Sequence, residues 1–258
     1  MSDLLKLLAD NRGRSPRAQA PAIMADATLD TATVYVYDSI VRNTAMAEMF
    51  GGVAADALVP AIRAIPQRQI DVRLNSPGGD VFAARAIEAA LREHPARVRV
   101  LVDGLAASAA SLITMAGDEV SMAPGAMMML HQTWTMTVGN ADEHAAIAEL
   151  LGKMDVTVAD TYAAKCGKPR AELLDIMRKT TWLTAQEAVD MKLADNVTGS
   201  ADAQAGEEAR ALWNLSAYVE RAPALAAPPP EDKPAPARSG ANEHARAQAR
   251  ARLAGLRP

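Results

Sequence analysis

A parallel α/β fold is what this chain's pattern predicts, and three observations predict it. Strand-like and helix-like apolar patterns alternate without a break from about residue 33 to 198. Twice in that region a strand-like run passes into a helix-like run through small residues: at "NSPGGD", residues 75–80, and at "DGLAASAAS", residues 103–111. Half of the chain is hydrophobic but only 3% is aromatic, so a sizeable core must be filled by Ala, Val, Leu, Ile and Met.

The elements follow in order. "TVYVYDSIV" reads as a strand, and "DALVPAIRAIP" as a short helix that tolerates Pro60 only near its start. "IDVRLN" alternates apolar and polar residues as a strand does. From Asp80 to His94, Val81, Ala84, Ile87 and Leu91 recur at helical spacing. "RVRVLVDG" is a strand and "AASAASLITMAGD" a helix of small residues; "EVSMA" and "AMMMLHQ" are strands. A long helix spans 141–166, with an apolar stripe of Ile147, Leu151, Met154, Val158 and Tyr162 and a stop at Gly167. That helix is either an ordinary core helix or one that projects to pack on another subunit. "TAQE" is a capping box, Thr184 with Glu187, that starts a last helix ending near Leu193.

Three segments are expected. Residues 1–28, rich in Arg, Pro and Ala, form a flexible arm, and 29–198 form the folded domain. Residues 199–258 form an Ala-, Pro- and Arg-rich disordered tail, whose composition cannot offset chain entropy. Within the tail, Leu212, Trp213, Leu215 and Tyr218 make a small apolar island, and the last stretch is basic enough to suit an acidic partner. A formal charge of -4 disfavours nucleic acid as a general partner. The single cysteine, Cys166, excludes an internal disulfide framework and points to a reducing compartment. No signal peptide and no membrane-spanning run is read, and no metal-ligand cluster or nucleotide-binding loop, so no cofactor is expected.

The chemistry gathers at the strand-to-helix turns. At Gly78–Gly79, outward backbone N–H groups and a helix N-terminus can hold a negative oxygen, although a plain tight turn would look the same. Ser108 stands within the first turn of a helix at the mouth of a parallel sheet, where ligand sites gather, although Ser and Ala also serve close helix packing. A serine nucleophile needs a base. Of four histidines, His94 ends a polar helix, His144 lies on a polar helix face, and His244 is in the tail. His131, after the apolar "MMML", needs a reason to be there.

In order and spacing, "LNSPGGDVFAARAI", "VDGLAASAASLITMAGDEV", "AMMMLHQ" and "TTWLTAQEAVDMKLADNV" together resemble the Clp protease proteolytic subunit family. Within it they most resemble the phage branch, the ClpP-related head maturation (prohead) proteases. The resemblance covers roughly residues 33–198. It implies a ClpP/crotonase-like spiral of ββα units with a long projecting handle helix and a homo-oligomeric ring. It further implies Ser108 as nucleophile, His131 as general base, and Gly79 and Ala109 as the oxyanion-hole donors. Gly78, Asp80 and Val81 would lie along bound substrate, which could add as a β-strand.

The family's third catalytic residue is an acid two positions before the aromatic of "TTWLTAQEA". Here Thr180 stands at that position. Asp175, the nearest upstream acid, is the substitute candidate, and a pair without a third member is the remaining alternative. The leading functional reading is a serine endopeptidase that processes scaffold and capsid proteins during phage head maturation. It would work in the cytoplasm of a bacterial host, including inside proheads. Two alternatives stand beside it: a housekeeping Clp peptidase served by a separate ATPase, and a catalytically weak or inactive ClpP-like assembly protein. A crotonase acting on acyl-CoA would have no need for a Ser–His pair.

Overall fold

A computed structural model describes residues 23–25 and 30–198. Of the segment expected to be a flexible arm, residues 23–25 are described and form a strand of the sheet, because their backbone pairs with 32–34. The rest of the arm and the tail with its apolar island lie outside the described residues. β1 (Ile23–Ala25) pairs antiparallel with β2 (Thr31–Val36), in which fully buried Ala32, Val34 and Val36 alternate with half-buried neighbours. That period of two is the mark of a strand covered on one face. The stretch expected to be one strand is broken: β2 stops at Val36 and β3 is only Ile40–Val41. Between them the Asp38 carboxylate accepts the Ser39 N–H at 2.6 Å, a local bond that competes with the ladder.

α1 (Thr44–Phe50) is capped by the Asn43 side chain and buries no residue, so it left no periodic signal. β4 (Val53–Ala54) pairs parallel with β3 and leads into α2 (Ala55–Arg63). Pro60 lies in the middle of α2, not near its start. The carbonyl that loses its donor belongs to Asp56 on the exposed side, where water can serve it.

Next come β5 (Gln69–Ser76), α3 (Val81–Arg92), β6 (Arg97–Ala107) and α4 (Ala109–Thr114). β6 runs further than "RVRVLVDG": Ala106 and Ala107, expected in the helix, are its last strand residues. Then follow β7 (Glu119–Met122), β8 (Met127–Leu130), α5 (Ala141–Cys166), α6 (Arg170–Arg178), β9 (Thr181–Thr184), α7 (Ala185–Asp190) and β10 (Asn196–Val197).

The sheet order is β1-β2-β5-β6-β7-β10, with β2 to β10 parallel. The last residues of β6 leave β7 and pair instead with β8, and β9 closes antiparallel on β8. The open face carries cross-strand ion pairs: Arg73 on Asp103, which also accepts from Tyr37, and Arg99 on Asp71. The other face packs on a core that is mostly Ala, Val, Ile, Leu and Met.

α5 begins with an Asn140–Glu143 capping box and ends at Gly167 in the left-handed conformation. Its buried residues, Asp155, Val158, Ala159, Tyr162 and Cys166, all lie in its second half. The first half projects, which favours the projecting alternative over the core-helix one. No helix among the described residues is long and apolar enough to cross a membrane.

Candidate active site

Parallel pairing brings the C-terminal ends of β5 and β6 together, and with them the two small-residue turns. Gly78 has φ +92°; a Cβ there would sit 2.6 Å from the Ala107 carbonyl oxygen and 2.8 Å from Ser108 Cβ. The two turns therefore touch backbone to backbone, and only glycine leaves room. Gly79 (φ +146°) forms a parallel bridge with Ile40. Around it the Ile40 N–H donates to the Gly78 carbonyl at 2.8 Å, and the Asp80 N–H donates to the Ile40 carbonyl at 2.9 Å. From below, Ser76 Oγ donates to the Asp38 carbonyl and accepts the Gly78 N–H. Asp80 caps α3 by accepting the Ala83 N–H, and its other oxygen takes Arg42 at 2.8 Å.

Ser108 is the residue between β6 and α4, at φ 54° and ψ -127°. A non-glycine residue held there costs roughly 1–3 kcal/mol and persists only where its surroundings demand it. Its N–H donates to the Met129 carbonyl at 2.9 Å. The β6–β8 register sets Ala107 opposite Met129, so the residues just beyond, Ser108 and His131, arrive side by side. Ser108 Oγ lies 2.6 Å from His131 Nε2, and His131 is only 9% exposed. As the first residue of α4, Ala109 has an N–H with no acceptor inside the helix. Ser111, the other serine of this stretch, points inward: its Oγ donates to the Ser108 carbonyl and shares a 2.7 Å hydrogen bond with Tyr162 Oη. Burial pushes the Tyr162 phenol up to about 12, so it keeps its proton.

The antiparallel β8–β9 register pairs Leu130 with Thr181, which sets Thr180 across from His131. Thr180 is buried, at φ 50°. Asp175 is not brought to the pair. It lies on α6 with its carboxylate 60% exposed and held by Arg178 at 2.5 Å, because the helical turn aims it at solvent. Asp155 of α5, which its sequence context does not single out, is buried beside the segment that follows His131. It accepts from Gln132 Nε2 at 2.8 Å, Thr133 N–H at 2.6 Å and Thr133 Oγ1 at 2.7 Å. A polar residue at i−7 from Tyr162 on a buried helix face was the available signal. The other histidine near the core, His94, is far along the fold: its Nδ1 accepts the Ala96 N–H and its Nε2 faces the Ile65 carbonyl.

A pocket of about 260 Å³ opens beside Ser108 and His131. Gly79, Asp80, Val81 and Ala109 line its mouth, as does Arg42. Its far wall is α5, through Ile147, Leu150, Leu151, Met154 and Val158, so its depth is apolar.

Residues 24–201 match the family model for Clp protease. Over 181 residues the chain is 32% identical to the ATP-dependent Clp protease proteolytic subunit 3 of Rhodococcus jostii, covering 69% of this chain and 86% of that protein. Over 134 residues it is 32% identical to the ATP-dependent Clp protease proteolytic subunit of Deinococcus radiodurans, covering 51% of this chain and 66% of that one. Among solved structures, it is similar to a point mutant of ClpP1 from Listeria monocytogenes, with a TM-score of 0.55 and 22% identity over 66% of this chain and 93% of that chain.

Proposed function

Because the chain belongs to the Clp protease family, has its α/β fold and is thereby a serine-type peptidase, we propose that Ser108 and His131 are its catalytic pair. The observation that carries this is the 2.6 Å contact between Ser108 Oγ and His131 Nε2 at the mouth of an apolar pocket. Ser108 Oγ attacks the carbonyl carbon of a peptide bond while its proton passes to His131 Nε2. The carbonyl oxygen becomes an oxyanion that accepts from the Gly79 and Ala109 N–H groups. Collapse breaks the C–N bond, the leaving amine takes the proton from His131, and an acyl ester remains on Ser108. Water then attacks the ester, gives its proton to His131, and releases the acid as Ser108 is restored. Substrate would run as a strand along Gly78, Asp80 and Val81, placing an apolar side chain in the pocket.

The matched relatives are proteolytic subunits of ATP-dependent Clp proteases, and they favour the housekeeping alternative over the phage reading. The biological role we infer is therefore a peptidase subunit of a self-compartmentalised ring, acting on protein substrates delivered by a separate ATPase. Head maturation with scaffold or capsid substrates rests only on the phage-like motif pattern and the basic tail. Labelling with a fluorophosphonate probe tests the chemistry: Ser108→Ala should lose all labelling and peptide hydrolysis, and Ser111→Ala should keep labelling. Full labelling of Ser108→Ala would overturn the assignment. Degradation of a folded protein only when a Clp ATPase is added would support the ring-and-ATPase role. Cleavage of capsid scaffold without one would restore the phage role.

A further inference from the structure

The proposed relay lacks a negative charge at its usual place, because Thr180 is neutral. The structure assigns that part to Asp155, as a positioning residue that holds His131 in register and offsets the charge the imidazole gains. This rests on the Ser108–His131 reading above. Asp155 is 6% exposed, and its carboxylate accepts three hydrogen bonds, all from the two residues that directly follow His131. Backbone and side chain of Thr133 converge on Oδ1, and Gln132 Nε2 occupies Oδ2. Thr133 also reaches the Leu151 carbonyl at 3.2 Å. Two walls of the pocket, 133–135 and α5, are thus tied together at this one carboxylate.

Charge acts beside geometry here. A buried carboxylate bonded to the two residues that follow His131 favours, through its charge, the imidazolium that forms when Ser108 loses its proton. Besides His131, the titratable or charged groups lining the pocket are Arg42 and Asp80, paired with each other, and Tyr162, which burial keeps protonated. Asp155 lies behind the pocket lining, and the groups that its carboxylate accepts from, Gln132 and Thr133, are neutral. The helix that carries it also reaches the other half of the pair. Tyr162, seven residues on and on the same face, touches Ser111, which holds the Ser108 carbonyl.

The test uses the full chain, wild type against Asp155→Asn, with the rate of fluorophosphonate labelling measured across pH. Asn keeps the shape and can still accept from Thr133, and Gln132 can turn its amide to accept from the new N–H₂, so chiefly the charge is removed. Asp155→Asn should lower the labelling rate at neutral pH about tenfold or more and move the midpoint of the pH profile downward, since imidazolium is less favoured. Adding Thr180→Asp to Asp155→Asn should move the midpoint back up; φ 50° at this position is one that Asp adopts more readily than most residues. A midpoint and rate unchanged in Asp155→Asn, with wild-type labelling still dependent on Ser108, would overturn the inference alone. A slower rate with an unmoved midpoint would also overturn it, reducing Asp155 to a structural link. Wild-type labelling that does not depend on Ser108 would instead overturn the catalytic reading beneath it.

Discussion

Gly79→Ala should nearly abolish peptide hydrolysis while leaving a folded protein. A Cβ at this position would lie 2.1 Å from the Ile40 carbonyl oxygen and 2.8 Å from the Ile40 nitrogen. Ile40 cannot step aside cheaply, because its N–H holds the Gly78 carbonyl and its carbonyl holds the Asp80 N–H. The Gly79 peptide must move by about 1 Å to relieve the contact, which carries its N–H out of the roughly 2.7–3.1 Å range in which an oxyanion donor works. Loss of one such donor costs about 3 kcal/mol, or roughly a hundredfold or more in kcat, with KM much less affected. Gly167→Ala is the control. Gly167 also has positive φ, +73°, but a Cβ there meets nothing within 4 Å. It should lose about 1 kcal/mol of stability from backbone strain and no activity. The assay is kcat and KM on a small peptide ester, with thermal unfolding of both variants in parallel. A folded Gly79→Ala enzyme within about threefold of wild-type kcat would refute the reasoning, as would an equal loss in Gly167→Ala.

The remaining predictions concern pH and assembly. Burial raises the Asp38 carboxyl from its ordinary 3.8 to about 6, outweighing the Ser39 and Gly52 backbone N–H groups that pull it down. The folded state therefore disfavours the ionised form. Its cost is absent below about pH 4, grows as pH rises towards 6, and is full above that, at roughly 2–3 kcal/mol. Asp38→Asn should raise stability at pH 7–8 but not at pH 4, read by urea denaturation at each pH; an equal effect at both would contradict the linkage. The projecting half of α5 should join subunits, so Ile147→Glu with Leu151→Glu should lower the mass seen by light scattering. Each apolar side chain buried in such a contact contributes about 1.5–3 kcal/mol. A wild-type chain that is monomeric at micromolar concentration would sink this expectation.

Much of the site was legible in local sequence because its chemistry needs local rules. Adjacent glycines mark a backbone that must lie against another backbone, and Gly78 and Gly79 do lie against Ala107 and Ile40. A capping box announces a helix start, and Thr184 and Glu187 do cap α7. The long helix was readable to the residue from its stripe and its terminal glycine. Other features left no local trace. α1 buries nothing, so it has no apolar period, and at the break between β2 and β3 a carboxylate bonds to the next residue's N–H in place of a ladder partner. The end of β6 was misjudged because "AAS" satisfies strand and helix equally; pairing with β8 decides for the strand.

By itself, then, the sequence determined the alternation of elements, the two small-residue turns and the residue types available for chemistry, because these follow from side-chain period and backbone sterics along the chain. Only the tertiary structure decided which groups meet. Parallel pairing of β6 with β8 put His131 on Ser108, the β8–β9 register set a neutral Thr180 opposite the histidine, and helical phase aimed Asp175 at solvent and turned Asp155 inward. Those outcomes depend on contacts between residues distant in sequence, and a carboxylate's role depends on what it faces rather than on its neighbours in the chain.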